Sequence, residues 1–130
     1  MLANLMKQKK FNRLSAFIPV RDIHETLNYY RDTLGFCDEW TMGTDGGLRR
    51  DDMRVVFCQD PDYITQINNE TYWFVLLWFV DNVDEIYSEF KDERKIPIAA
   101  ELESKPWGIR EFSFYDVNGY LIRVSEGIAS

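Results

Sequence analysis

The chain has a single histidine, His24, and two cysteines, Cys37 and Cys58, and these few groups limit its chemistry. Nucleophilic catalysis by Ser, Thr or Cys needs a base within hydrogen-bond reach. His24 lies between Ile23 and Glu25, in the first turn of a predicted helix and on its solvent side, so it forms no credible pair with a hydroxyl or thiol. The cysteines follow neither a CxxC nor a zinc-ligand spacing, which suits reduced, buried thiols; a disulfide between them is the alternative. Gly43, Gly46 and Gly47 are followed by neither a helix nor a lysine, unlike a phosphate-binding loop. Asp51 and Asp52 point to opposite faces if extended and read as turn formers. No catalytic residue is assigned.

Aromatic side chains are the richer resource: four Trp, seven Tyr and nine Phe in 130 residues. Rings stack on flat ligands and attract cations, and carboxylates complete such a site. Trp73 and Trp78 lie in the apolar run Trp73 to Val80 and are expected in the core. Trp40, in a strand, suits either core packing or a ligand contact. Trp107, between Pro106 and Gly108 in a corner, is harder to bury and is the stronger candidate for a ligand contact.

The elements that position these residues come from a repeat. Val20 to Asp32 aligns with Val80 to Asp92 without a gap, at an offset of 60 residues. Each copy reads as an apolar strand, a polar cap (Asp22 or Asn82), and a Glu three residues later (Glu25 or Glu85) placed to reach back to the cap. Ile23, Leu27, Tyr30 and Leu34 make one apolar helical stripe; Val83, Ile86, Tyr87 and Phe90 make the other. Three strands follow each helix. In the first copy they are Phe36 to Met42, Leu48 to Arg50 and Met53 to Gln59, separated by turns at Gly43 to Gly47 and Asp51-Asp52. In the second they are Ala99 to Glu103, Ile109 to Tyr115 and Tyr120 to Glu126, with Asn118-Gly119 as a hairpin signal. The expected fold class is α+β: two tandem βαβββ modules forming curled mixed sheets around a concave cavity. Residues 1–13 form a basic arm, 14–60 the first module, 61–71 a linker and 72–130 the second module, one domain overall.

The formal net charge is −7, but Lys7, Lys9, Lys10 and Arg13 lie in the arm, which holds no acid. The remainder carries 11 basic against 22 acidic residues, or −11. Such a body repels phosphate backbones and favours cations, so nucleic acid is not an expected partner. The longest apolar run has eight residues, whereas a membrane helix needs about 20. No membrane partner is expected, and with no signal segment the cytoplasm is the default compartment. The arm either packs Leu2, Leu5, Met6 and Phe11 on a partner or frays.

A duplicated βαβββ unit resembles the vicinal-oxygen-chelate superfamily of glyoxalases, bleomycin-resistance proteins and extradiol dioxygenases. Tyr29 to Phe36 is similar to the superfamily's aromatic helix end running into Leu-Gly-Phe. Lys105 to Phe112, with Asp116, Asn118 and Gly119, is similar to the Pro-Trp-Gly, Arg-Glu-Phe and Asp-x-x-Gly pattern of the bleomycin-resistance branch, and Arg50-Asp51-Asp52 also matches it. In the superfamily's enzymes the first strand of each copy presents a metal-binding His seven residues before the helix cap, and closing strands present Glu or His. Those positions here are Ser15 and Val75, and Arg123 stands where the last Glu is expected; Met53 to Cys58 offers only Cys58. No metal and no cofactor are therefore expected.

The resemblance implies a ligand-binding set of Trp40, Asp45, Cys58, Trp107 and Gly108, with Trp107 stacking on the ligand. Asp45 stands near an aromatic of that branch, and Cys58 where it carries a small hydroxyl side chain. It also implies a homodimer with ligand crevices at the subunit interface, in which Pro19 is a hinge for strand exchange or simply an edge-strand residue. The function implied is metal-free sequestration of a cationic or aromatic small molecule, such as a bleomycin-type antibiotic. The alternative is a glyoxalase-like lyase, isomerase or dioxygenase with a relocated metal site.

Overall fold

A computed structural model of the chain describes residues 10–69 and 75–127. The expectations for Leu2, Leu5 and Met6 in the arm, and for Trp73, lie outside the described residues. The elements run β1 (Phe17–Val20), α1 (Ile23–Asp32), β2 (Cys37–Met42), β3 (Asp45–Arg50), β4 (Met53–Gln59), α2 (Pro61–Asn69), β5 (Val75–Phe79), α3 (Val83–Ser88), β6 (Ala100–Lys105), β7 (Ile109–Tyr115) and β8 (Leu121–Gly127). They form two mixed four-stranded sheets, ordered β1-β4-β3-β2 and β5-β8-β7-β6. In each, the first strand pairs parallel with the last and the other pairs are antiparallel. The α+β pair of βαβββ units is thus present, with curled sheets that do not close on one another.

The helical stripes explain how the units join. Ile23, Leu27, Tyr30 and Leu34 are all buried, as are Val83 and Phe90, and they share one core with Val55 and Phe57 of the first sheet and Phe112, Phe114, Ile122 and Val124 of the second. Tyr30 contacts Phe57 on its own sheet (centroids 4.9 Å apart) and Trp78 of the other module (6.3 Å). Burying each such ring contributes roughly 1.5–3 kcal/mol. Because strand residues alternate between faces, those flanking the core residues point away from it. Each sheet is left with a second face that is uncovered among the described residues, where Phe17, Trp40 and Met42 of the first sheet and Leu77, Phe79 and Tyr115 of the second stay exposed.

Capping differs from the expected pattern. Asp22 accepts from the Glu25 N–H (2.8 Å), but Glu25 pairs with Arg21 rather than reaching back. Asn82 is left-handed (φ 57°) and makes no side-chain cap bond. What the two helices share comes from the end of each fourth strand: Gln59 Oε1 accepts from the Ile23 N–H (2.9 Å) and Glu126 Oε1 from the Val83 N–H (2.8 Å). These bonds meet N–H groups that have no partner within the helix. α3 also runs on into a π turn over Glu89–Glu93.

Three local expectations change. Asp45, Gly46 and Gly47 belong to β3 rather than to the turn, because they pair with Cys58, Phe57 and Val56. Within 61–71 the chain forms α2, whose Ile64 is buried. Cys37 is exposed and Cys58 only half-buried, both as free thiols, so the expectation of two buried thiols fails. Their strand positions put both outside the packed core.

Candidate functional site

The uncovered face of the first sheet is set by register. Trp40, Gly47, Val56 and Phe17 form one row across it, and Met42, Asp45, Cys58 and Pro19 the next. Three of the five expected binding residues, Trp40, Asp45 and Cys58, therefore share one face on adjacent rows. Trp40 remains 43% exposed, and Phe17 and Met42 are more exposed still. Its indole lies on the bare backbone of Gly47, where an added Cβ would stand 2.7 Å from Trp40 Nε1 and 2.6 Å from the Val55 carbonyl oxygen. Gly47 is what lets the ring lie there. Beside Trp40 a hollow of about 220 Å³ is lined by Asp38, Arg49, Arg54 and Arg13, with Arg49 held by Asp38 at 2.5 Å.

Across the strands from Asp45, the Cys58 thiol is pushed up by burial, then by the charges of Asp45 and Asp60. This favours the neutral thiol and disfavours a nucleophilic thiolate.

The other two expected residues sit elsewhere. Trp107 and Gly108 occupy the β6–β7 corner of the second sheet, where Trp107 is 64% exposed and Gly108 turns at φ +89°. Nothing described brings them onto the first sheet's uncovered face within one chain.

The second sheet's uncovered face carries a polar cluster that sequence reasoning missed. Glu111, 7% exposed, accepts from Arg123 Nη2 (2.5 Å) and Ser125 Oγ (2.8 Å). Burial works against its ionisation, but the bonds from Arg123 and Ser125 outweigh it and hold the carboxyl below its usual range. Leu77, Phe79 and Tyr115 are exposed on the same face. The signal was present in the alternation of β7, which places Glu111 and Ser113 opposite Phe112 and Phe114. The two modules also match at this point, since Asp45 pairs with Cys58 and Glu111 with Ser125.

The positions that hold metal in the superfamily's enzymes do not suit a divalent cation here. Ser15 is exposed ahead of β1, Val75 offers no donor, and Arg123 brings a cation already engaged with Glu111. Among the described residues no three His, Cys, Asp or Glu side chains are grouped as a metal would require. Nor is any described helix long and apolar enough to cross a membrane.

Solved structures share this fold. The bleomycin-binding protein of bleomycin-producing Streptomyces verticillus, complexed with copper(II)-bleomycin, aligns with a TM-score of 0.70 at 20% identity, over 95% of this chain and 100% of that one. A bleomycin resistance determinant encoded on the transposon Tn5 gives 0.73 at 22% identity, over 90% and 98%. A glyoxalase/bleomycin resistance protein/dioxygenase from Alicyclobacillus acidocaldarius gives 0.73 at 17%, over 94% and 96%. No curated protein is significantly similar to the chain. The model of the glyoxalase-like domain matches residues 14–129, nearly the whole sequence, and on that match the chain belongs to the glyoxalase-like domain family.

Proposed function

We propose that the protein is a metal-free small-molecule binder that sequesters a cationic or aromatic ligand, such as a bleomycin-type antibiotic, in crevices between two copies of the chain. The carrying observation is that Trp40, Asp45 and Cys58 share an uncovered face that also leaves Phe17 and Met42 open to solvent. Exposed apolar faces of this kind mark binding or assembly surfaces. The second sheet offers a matching face with Leu77, Phe79 and Tyr115, and the Trp107 corner at its end. In a homodimer the first sheet of one copy faces the second sheet of the other, and Trp107 of the partner subunit then reaches the site of Trp40. Stacking on the indoles holds the ligand's rings, and Asp45 attracts its positive charge. Similarity to bleomycin-binding structures supports this choice of ligand class.

Tryptophan fluorescence titration with bleomycin tests the reading. Saturable quenching is expected, weakened at least about tenfold in Trp107→Ala, with the ligand recovered unchanged. Quenching that is identical in wild type and Trp107→Ala rejects the site. Stoichiometric zinc, nickel, manganese or iron in protein purified without chelator rejects the metal-free assignment.

A further inference from the structure

The duplication creates two seams between the modules, and they are built differently. In one, the five-residue turn Asp116 to Tyr120 folds onto the start of α1. Asn118 Oδ1 accepts from the Arg21 N–H (2.8 Å), Asn118 Nδ2 donates to Thr26 Oγ1 (3.0 Å) and the Tyr30 hydroxyl donates to Asp116 Oδ2 (2.8 Å), which seals that seam. At the other seam the matching positions are Asp81, Ile86 and Phe90 in place of Arg21, Thr26 and Tyr30. The facing turn is only Asp51-Asp52, and among the described residues its side chains make no such bonds across the seam, the Asp51 carbonyl accepting instead from Arg49 of its own hairpin. A cavity of about 270 Å³ remains, walled by Phe36, Trp78, Phe90, Met53 and Ile86.

Its chemistry is two-sided. Phe36, Trp78 and Phe90 are buried and supply aromatic walls, whereas Asp51, Asp52 and Asp81 are exposed and stand at the mouth. Arg50, the one cation among the lining residues, is held by both oxygens of Glu89 (2.6 and 2.8 Å) and lies over the Phe90 ring. Among the described residues no Lys or Arg nitrogen lies within ion-pair distance of the carboxylates of Asp51, Asp52 or Asp81. Aromatic walls with carboxylates at the rim suit a ring that carries a positive charge at one end.

We propose that this open seam is a second small-molecule site, separate from the uncovered sheet faces. It takes a compact aromatic amine, whose ring enters between Phe36, Trp78 and Phe90 and whose ammonium stays at Asp51, Asp52 and Asp81. A volume of this size admits one ring with a short side chain and excludes a large antibiotic.

Phenethylamine is the probe, titrated by calorimetry and by NMR of the Trp78 indole N–H. Saturable binding is expected near about 1 mM, with 3-phenylpropionate and n-butylamine at least about tenfold weaker, because one lacks the cation and the other the ring. Asp51→Asn/Asp52→Asn/Asp81→Asn weakens phenethylamine about tenfold, and Ile86→Phe, which fills the cavity, removes binding while the urea midpoint shows the variant folded. Trp107→Ala leaves this binding unchanged, so failure here and failure at the sheet faces are distinguishable. The proposal is overturned if phenethylamine does not saturate, if 3-phenylpropionate or n-butylamine binds equally well, if binding survives the carboxylate or Ile86→Phe substitutions, or if it is lost in Trp107→Ala.

Discussion

Removing one oxygen at the sealed seam tests how the two modules are tied. Tyr30 is fully buried and its hydroxyl donates to Asp116 Oδ2 at 2.8 Å, while Asp116 Oδ1 accepts from the N–H groups of Asn118 (2.9 Å) and Tyr120 (3.0 Å). Tyr30→Phe keeps the ring contacts with Phe36, Phe57 and Trp78 and deletes a single bond to a buried carboxylate. Hydrogen bonds to charged groups contribute about 1.5–3 kcal/mol, so a loss of about 2 kcal/mol is expected at neutral pH, or about 6–10 °C in Tm for a chain of this size. The loss depends on pH with a definite sign. Burial raises the Asp116 carboxyl above its ordinary range, against the bond from Tyr30 and those from its backbone donors. A raised acid favours the fold when protonated, so its contribution is present below the unfolded pKa and lost as pH rises through the folded one.

Tyr30→Phe removes one of the bonds that oppose this shift, so its cost is greatest where Asp116 is charged and shrinks in acid. Urea denaturation of both proteins between about pH 7 and about pH 4 measures it, with m unchanged. In an Asp116→Asn background the same substitution costs less than half as much, the signature of a charge-assisted pair. A cost that does not vary with pH, or that persists undiminished in the Asn background, refutes the reasoning.

Gly47→Ala drives a methyl against the Val55 carbonyl and the Trp40 indole; about 2–3 kcal/mol of stability should be lost, with altered Trp emission, and a silent substitution contradicts the placement of Trp40. Glu89→Gln leaves Arg50 and Arg94 facing each other without their shared carboxylate (2.6 and 2.5 Å) and should cost about 1–2 kcal/mol at neutral pH, given partial exposure. Bonding from Arg50 lowers the Glu89 pKa against burial. Its contribution is therefore present above the ordinary Glu range and lost as pH falls through the folded value, so wild type and Glu89→Gln should converge in acid. Iodoacetamide near pH 8 should alkylate exposed Cys37 well before Cys58, whose thiol is held neutral; mass spectrometry showing equal rates contradicts this.

The sequence by itself determined the tandem units, the stripes each helix buries and the order of strands. These are local periodicities, and burial of Tyr30, Leu34, Val83 and Phe90 followed from spacing alone. It also brought out Trp40 and Trp107 and placed them in different modules, though not how far each stays exposed. Tertiary structure decided what periodicity does not encode: which partner a buried face meets. Tyr30 finds Asp116 from 86 residues away, and Glu111 finds Arg123 and Ser125 only once β7 and β8 are in register. The same holds for Asn82, whose apparent cap is replaced by Glu126, and for Asp45, drawn into β3 by pairing with Cys58. The seams carry this furthest. Two copies alike in sequence pattern meet through turns of different length, and packing closes one seam while leaving the other a cavity.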